Sequence, residues 1–161
     1  MKKIKLFTDS SVNPQLKIGF AAFLKVTDEK VSLEEIKKEI KIKRFENTSS
    51  TKLELQTFLW AIEEINLNTS FLIEVYTDCQ NIIGLPNRKE KIQSLNYHSS
   101  SGKLLNNSEL YKDFFKLLEK YNRDIIKVKG HKKNSLKDEI DNIFNLVDRA
   151  SRSALRENML I

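Results

Sequence analysis

The 161-residue sequence predicts an α/β protein: a five-stranded mixed sheet, three antiparallel strands then two parallel ones, flanked by helices on both faces. Three observations lead there. The first 46 residues hold three strand-like runs joined by short polar connections, as in an antiparallel meander. From about residue 50 the apolar residues recur at helical rather than alternating spacing. Two later strand-like runs are separated by helical stretches, the pattern of parallel crossovers.

Residues 3 to 8 read as the first strand, which in "LFTDSSVNP" stops at Asp9 and gives way to a turn. "IGFAAFLKV" (18 to 26) reads as a second, fully buried strand. "IKKEIKIKRFE" (36 to 46) alternates and is rich in lysine, as edge strands are, with room in "TDEKVSLEE" for a turn before it. In "SSTKLELQTFLWAIEEI", Leu55, Phe58, Leu59, Ile62 and Ile65 share one helical face behind Ser and Thr caps.

"FLIEVYTD" (71 to 78) returns to strand. Between 85 and 106 no period holds; Arg88, Lys89 and Lys91 suggest a short basic helix and "HSSSG" a flexible loop. "NSELYKDFFKLLEKY" (107 to 121) is a capped helix with Leu110, Phe114, Leu117 and Leu118 on one side, and "DIIKVKG" (124 to 130) is the last strand. From about Glu139 to Arg156, Ile140, Phe144, Val147, Ser151, Ala154 and Leu155 line one face of a closing helix.

The length suits one domain over residues 1–161. Cys79 is the single cysteine, so an internal disulfide or a cysteine-built zinc or redox site is excluded and a reducing, cytoplasmic setting fits. "MKKIKLFTDS" begins positive but has no sustained apolar stretch after it, and no window suits a membrane span. A net charge of +6 makes nucleic acid the first partner to test. Nothing points to an obligate protein partner, and a monomer is the default.

Asp9 and Asp78 end the first and fourth predicted strands, each after a Thr. If those strands are parallel neighbours, both acids leave from one sheet edge, where open α/β sheets bind ligands. Glu54 sits in the first turn of the best-defined helix beside Leu55, and Asp148 borders the apolar stripe of the closing helix beside Val147. Each has an ordinary reading as well. Asp9 and Asp78 suit turns, Thr51-Lys52-Leu53-Glu54 spells a capping box, and Arg152 lies one helical turn from Asp148.

Taken in order, "LFTDSS", "TKLELQTFLWAIEEI", "EVYTDCQ", "VKGH" and "VDRASRSALRE" resemble the motifs of type 1 ribonuclease H enzymes, from residue 3 to about 157. The resemblance implies a ribonuclease H-like fold and a metal-dependent endonuclease that hydrolyses the RNA strand of RNA/DNA hybrids. It implies that Asp9, Glu54, Asp78 and Asp148 bind two Mg2+ ions, with Mn2+ as the alternative, about 4 Å apart in the two-metal manner. Magnesium prefers oxygen ligands, which suits carboxylates. The resemblance also implies a role for His131 in proton transfer or product release, against its plain reading as a loop histidine.

RNA is told from DNA by its 2'-hydroxyls. By resemblance Ser10, Ser11, Asn13, Ser49, Ser50, Thr51 and Gln80 occupy substrate-contacting positions, though each also suits a turn or cap. Arg88, Lys89, Lys91, Lys129, Lys132 and Lys133 are candidates for phosphate contacts.

Some positions depart from the family pattern. The usual Asp-Gly-Ser is Asp9-Ser10-Ser11, and the usual paired Asn before the catalytic helix are Ser50 and Thr51. The stretch from His131 to Asp148 is longer than usual and contains Asp141, a rival fourth ligand, while the basic projection is reduced to about 85 to 101. Two other functions stay open: a non-catalytic nucleic-acid-binding or interaction module, and a related nuclease directed at DNA.

Overall fold

The protein is described by a computed structural model over residues 2–27, 32–66, 70–128 and 138–159. Its strands are β1 (Lys3–Asn13), β2 (Ile18–Val26), β3 (Lys41–Glu46), β4 (Leu72–Thr77) and β5 (Asn122–Lys127). They form one sheet in the order β3-β2-β1-β4-β5, antiparallel across β3-β2-β1 and parallel across β1-β4-β5. This is the predicted mixed sheet.

The helices are α1 (Leu33–Lys37), α2 (Ser50–Ile65), α3 (Gln80–Gly84), α4 (Lys89–Ser94), α5 (Ser108–Lys120) and α6 (Glu139–Met159), with a 3-10 turn at Pro86–Arg88. Strand alternation sends Leu6, Ile73 and Val75 to one face of the sheet, where they meet Leu55 and Phe58 of α2 and Phe114 of α5. Phe7, Leu24 and Tyr76 go to the other face and meet Ile143, Phe144 and Val147 of α6, with Ile36 of α1. Among the described residues, no helix is long and apolar enough to cross a membrane.

Four local expectations change. β1 does not stop before Asp9 but runs on to Asn13, because β2 pairs with it throughout and supplies its backbone partners. The expected third strand starts only at Lys41, because Ile36 and Lys37 end α1, which the Ser32 hydroxyl caps by accepting the Glu35 N–H at 3.2 Å. α2 is capped by Ser49 rather than by Thr51, so the capping box expected at Glu54 is not formed. The "HSSSG" segment is a hydrogen-bonded turn in which Ser99 N–H donates to the Lys103 carbonyl at 2.7 Å.

Gly19 lets α2 come close to the sheet. A Cβ there would run into Leu53 Cδ2 and lie 3.0 Å from the Ser11 carbonyl oxygen, a backbone atom held by the β1–β2 ladder. Gly19→Ala is therefore expected to cost about 1–3 kcal/mol, read as a lower urea midpoint at unchanged slope. Wild-type stability in that variant would show that α2 has room to shift.

Candidate active site

The site begins with strand register. β1 and β4 pair in parallel up to Phe7 opposite Tyr76, whose rings stack with centroids 4.9 Å apart. Asp9 and Asp78 each lie two residues past that pair, so the register brings them out side by side where β4 ends. Odd positions of β1 share the face of Phe7, so Asp9 is directed towards α6.

Glu54 arrives from the opposite face. It stands on the first turns of α2, whose buried Leu53 and Leu55 fix the helix against the sheet. Its Oε2 accepts a hydrogen bond from the Cys79 thiol at 2.8 Å. Burial and the Glu54 carboxylate together push that thiol up to about 12, so at neutral pH the sulfur keeps the proton it donates.

Asp148 is carried by α6, next to the fully buried Val147. Its Oδ2 accepts from Arg152 Nη2 at 2.7 Å, the ion pair that their spacing predicts. The buried Ser151 hydroxyl donates to the Asp148 carbonyl at 2.9 Å and lies 3.0 Å from the Ser11 hydroxyl, which ties this turn of α6 to β1. Asp141, the rival ligand, is occupied otherwise. It accepts from the Asp138 N–H at 3.2 Å while Asp138 accepts from the Asp141 N–H at 2.9 Å, a reciprocal cap at the start of α6.

Asp9, Glu54, Asp78 and Asp148 line one cavity of about 300 Å3, together with Ser10, Ser11, Ser50, Cys79 and Arg152. The acids surround the space rather than closing on a point: among the described residues, no three His, Cys, Asp or Glu form a ready-made metal cluster. Their charges are nevertheless felt. Burial, then the charge of Asp78, then a hydrogen bond and charge from Asp148, push Asp9 up to about 9. A carboxyl so disfavoured as an anion, beside three further carboxylates, is what a hard dication would relieve, so the acids present suit divalent metal.

The model of the RNase H family matches residues 1–155. The chain belongs to the RNase H family. It is 29% identical over 150 residues to the ribonuclease H of Clostridium botulinum strain Hall, covering 90% of this chain and 95% of that protein. With the ribonuclease H of Caldicellulosiruptor saccharolyticus it shares 29% over 114 residues, 70% of this chain and 72% of the relative.

In structure the chain is similar to LC9-RNase H1, described as a type 1 RNase H with the type 2 active-site motif. The TM-score is 0.66 at 14% identity, over 95% of this chain and 72% of that one. It is also similar to the foamy viral protease-reverse transcriptase in complex with dsDNA, with TM-score 0.62 at 11% identity over 94% of both. At such identities the likeness concerns the fold. Membership places the protein in the nuclease class of hydrolases, in a family that generally uses divalent metal ions and typically binds RNA/DNA hybrids.

The other residues singled out in the sequence fall into four groups. Ser10, Ser11 and Ser50 line the cavity, although Ser11 also holds Ser151. Several have structural partners. Asn13 Oδ1 accepts from the backbone N–H groups of Gln15 and Leu16 at 3.0 and 3.1 Å, Ser49 caps α2, and Gln80 accepts from Lys127 at 2.9 Å. Arg88 donates to Asn81 at 3.1 Å, and Lys89 pairs with Glu119 at 2.9 Å. Thr51 is exposed beside the α2 cap. His131, Lys129, Lys132 and Lys133 lie outside the described residues.

Cys79 is the functional candidate that the sequence reading leaves out, since there it serves only to exclude a disulfide and a cysteine-built zinc or redox site. Its signal was its place directly after Asp78.

Asp9 has a stability consequence with a defined sign. Its folded value of about 9 lies above the usual 3.8, so the folded state holds a proton that the unfolded chain releases between those values. That contribution is complete below about pH 4 and is lost as pH rises towards 9. Metal-free Asp9→Asn is therefore expected to melt about 3–6 °C above the wild type at pH 8, on the order of 1–2 kcal/mol, with the gap closing towards pH 4. A pH-independent gap in thermal melts would show that Asp9 carries no such strain.

Proposed function

We propose that the protein is a metal-dependent endonuclease that hydrolyses the RNA strand of RNA/DNA hybrids. The observation that carries this reading is the meeting of Asp9, Glu54, Asp78 and Asp148, from β1, α2, the end of β4 and α6, around one cavity. Family membership and a net charge of +6 support it. The working protein is proposed to be a cytoplasmic monomer.

The four carboxylates are the proposed holders of two divalent ions, Mg2+ or Mn2+. When bound, such ions lower the pKa of an attacking water and offset charge on the leaving oxygen. Asp9, half-buried between Asp78 and Asp148, is the proposed shared ligand, and it would give up its raised proton affinity on loading. Ser10 and Ser50 bring hydroxyls to the cavity wall, where they can bond the 2'-hydroxyls that mark an RNA strand.

Arg88 is exposed and tied to Asn81, three residues past Asp78, a position suited to a phosphate near the site. Lys89 would exchange its surface pairing with Glu119 for a phosphate at little cost. His131 is the proposed proton carrier, following β5 in sequence.

A second reading, a binding module on the same fold, is favoured by one feature. The acids line the cavity without closing into a ligand cluster among the described residues, with Asp148 already paired to Arg152.

One assay separates the two. Labelled hybrid, duplex DNA and duplex RNA are each incubated with the protein in Mg2+, Mn2+ or chelator. Cleavage of the RNA in the hybrid alone, lost with chelator and reduced at least about 100-fold in Asp9→Asn and Asp78→Asn, is the expected result. Asp141→Ala is expected to cleave normally while losing about 1 kcal/mol of stability from the α6 cap. Hybrid binding without cleavage, indifferent to both Asn variants, would favour the binding module.

A further inference from the structure

Cys79 touches three elements at once. It follows Asp78 at the end of β4, its sulfur accepts the Ile82 N–H at 3.4 Å to cap α3, and its S–H donates to Glu54 Oε2 of α2 at 2.8 Å. Its own N–H donates to Thr77 Oγ1 at 3.1 Å, which fixes the main chain from which the thiol projects. The sulfur also rests against the core built by α2 and α5, while lining the cavity that the four acids share. A cysteine that merely filled core space would not need the carboxylate.

We propose that Cys79 is a positioning residue for Glu54: the thiol holds Oε2 and leaves Oε1 as the oxygen offered to a cation. The direction of the bond follows from the donors. Ile82 N–H occupies a sulfur lone pair, and an ionised Glu54 can only accept, so the thiol proton lies on the Glu54 side. Held this way, Glu54 keeps one side-chain geometry, and a cation does not have to order a free carboxylate on arrival. Residues that orient a metal ligand in this manner typically affect metal affinity about 10–100-fold.

The inference rests on the metal-binding part of the nuclease reading, and its test does not require cleavage. Ala and Ser have nearly the same volume, but only Ser can donate to Glu54 and accept from Ile82. Mn2+ binding to wild type, Cys79→Ala and Cys79→Ser is measured by the electron paramagnetic resonance of free Mn2+, with thermal melts to confirm folding. Hybrid cleavage is followed in parallel against Mg2+ concentration.

Cys79→Ala is expected to bind Mn2+ about tenfold more weakly and to need about tenfold more Mg2+ for half-maximal cleavage, with Cys79→Ser within about threefold of wild type. Equal Mn2+ affinity in wild type and Cys79→Ala overturns the proposal, as does a Ser variant as weak as Ala. A wild type that binds Mn2+ yet cleaves no hybrid overturns the nuclease reading alone, and the affinity comparison still decides the role of Cys79. A wild type that binds no Mn2+ overturns both.

Discussion

The repulsion between carboxylates at the end of the β1–β4 pair is the constraint on which the rest of this structure turns. Parallel pairing up to Phe7 and Tyr76 leaves Asp9 and Asp78 as neighbours just past the last pair, and α6 adds Asp148 to the same side. Like charges at this spacing, partly removed from water, oppose folding. The scaffold resists with apolar burial placed on both faces directly behind the site: Leu6, Val75 and Leu55 on one side, Phe7, Tyr76 and Val147 on the other. Gly19 beneath Leu53 lets α2 approach the sheet, and Ser11 against Ser151 ties α6 to β1, so both contacts hold acid-bearing helices close to the strand.

At least three of the acids are compensated by different chemistry. Burial and the neighbouring acids favour the protonated form of Asp9, Glu54 accepts a thiol hydrogen bond, and Asp148 pairs with the guanidinium of Arg152. The Arg152 pair is exposed, so releasing it costs little. The thiol bond leaves one oxygen of Glu54 for another partner and so acts as a support. This division explains how the acids can share a cavity without forming a closed ligand cluster among the described residues.

The start of α6 shows that an acid near a site need not belong to it. Asp138 and Asp141 satisfy each other's backbone N–H groups, and Asp141 is buried by that arrangement. Asp148, seven residues on, is about two turns further along the same helix and reaches the cavity wall. The helix thus spends its first acids on its own terminus and carries the later one to the sheet edge.

Much of the fold could be read from the chain because periodicity is a local property. The continuous apolar run of β2, the helical spacing of Leu55, Phe58 and Ile62, and the apolar face of α6 all reappear as the buried parts of those elements. Asp9 and Asp78 are readable as a pair because two apolar strand-like runs stop at the same Thr-Asp sequence. Where local signals competed, tertiary pairing decided. β1 continues past Asp9 because β2 lies beside it, and Ser49 rather than Thr51 caps α2.

The sequence by itself determined the order of the five strands and the three long helices and the residue types that can hold a hard cation, since both follow from side-chain chemistry and short-range spacing. Only the tertiary structure decided which acids face one another, that Asp141 serves the helix rather than the cavity, and that Cys79 holds Glu54 across 25 residues. Those outcomes depend on strand register and helix approach, which are distances between parts of the chain that no local pattern encodes.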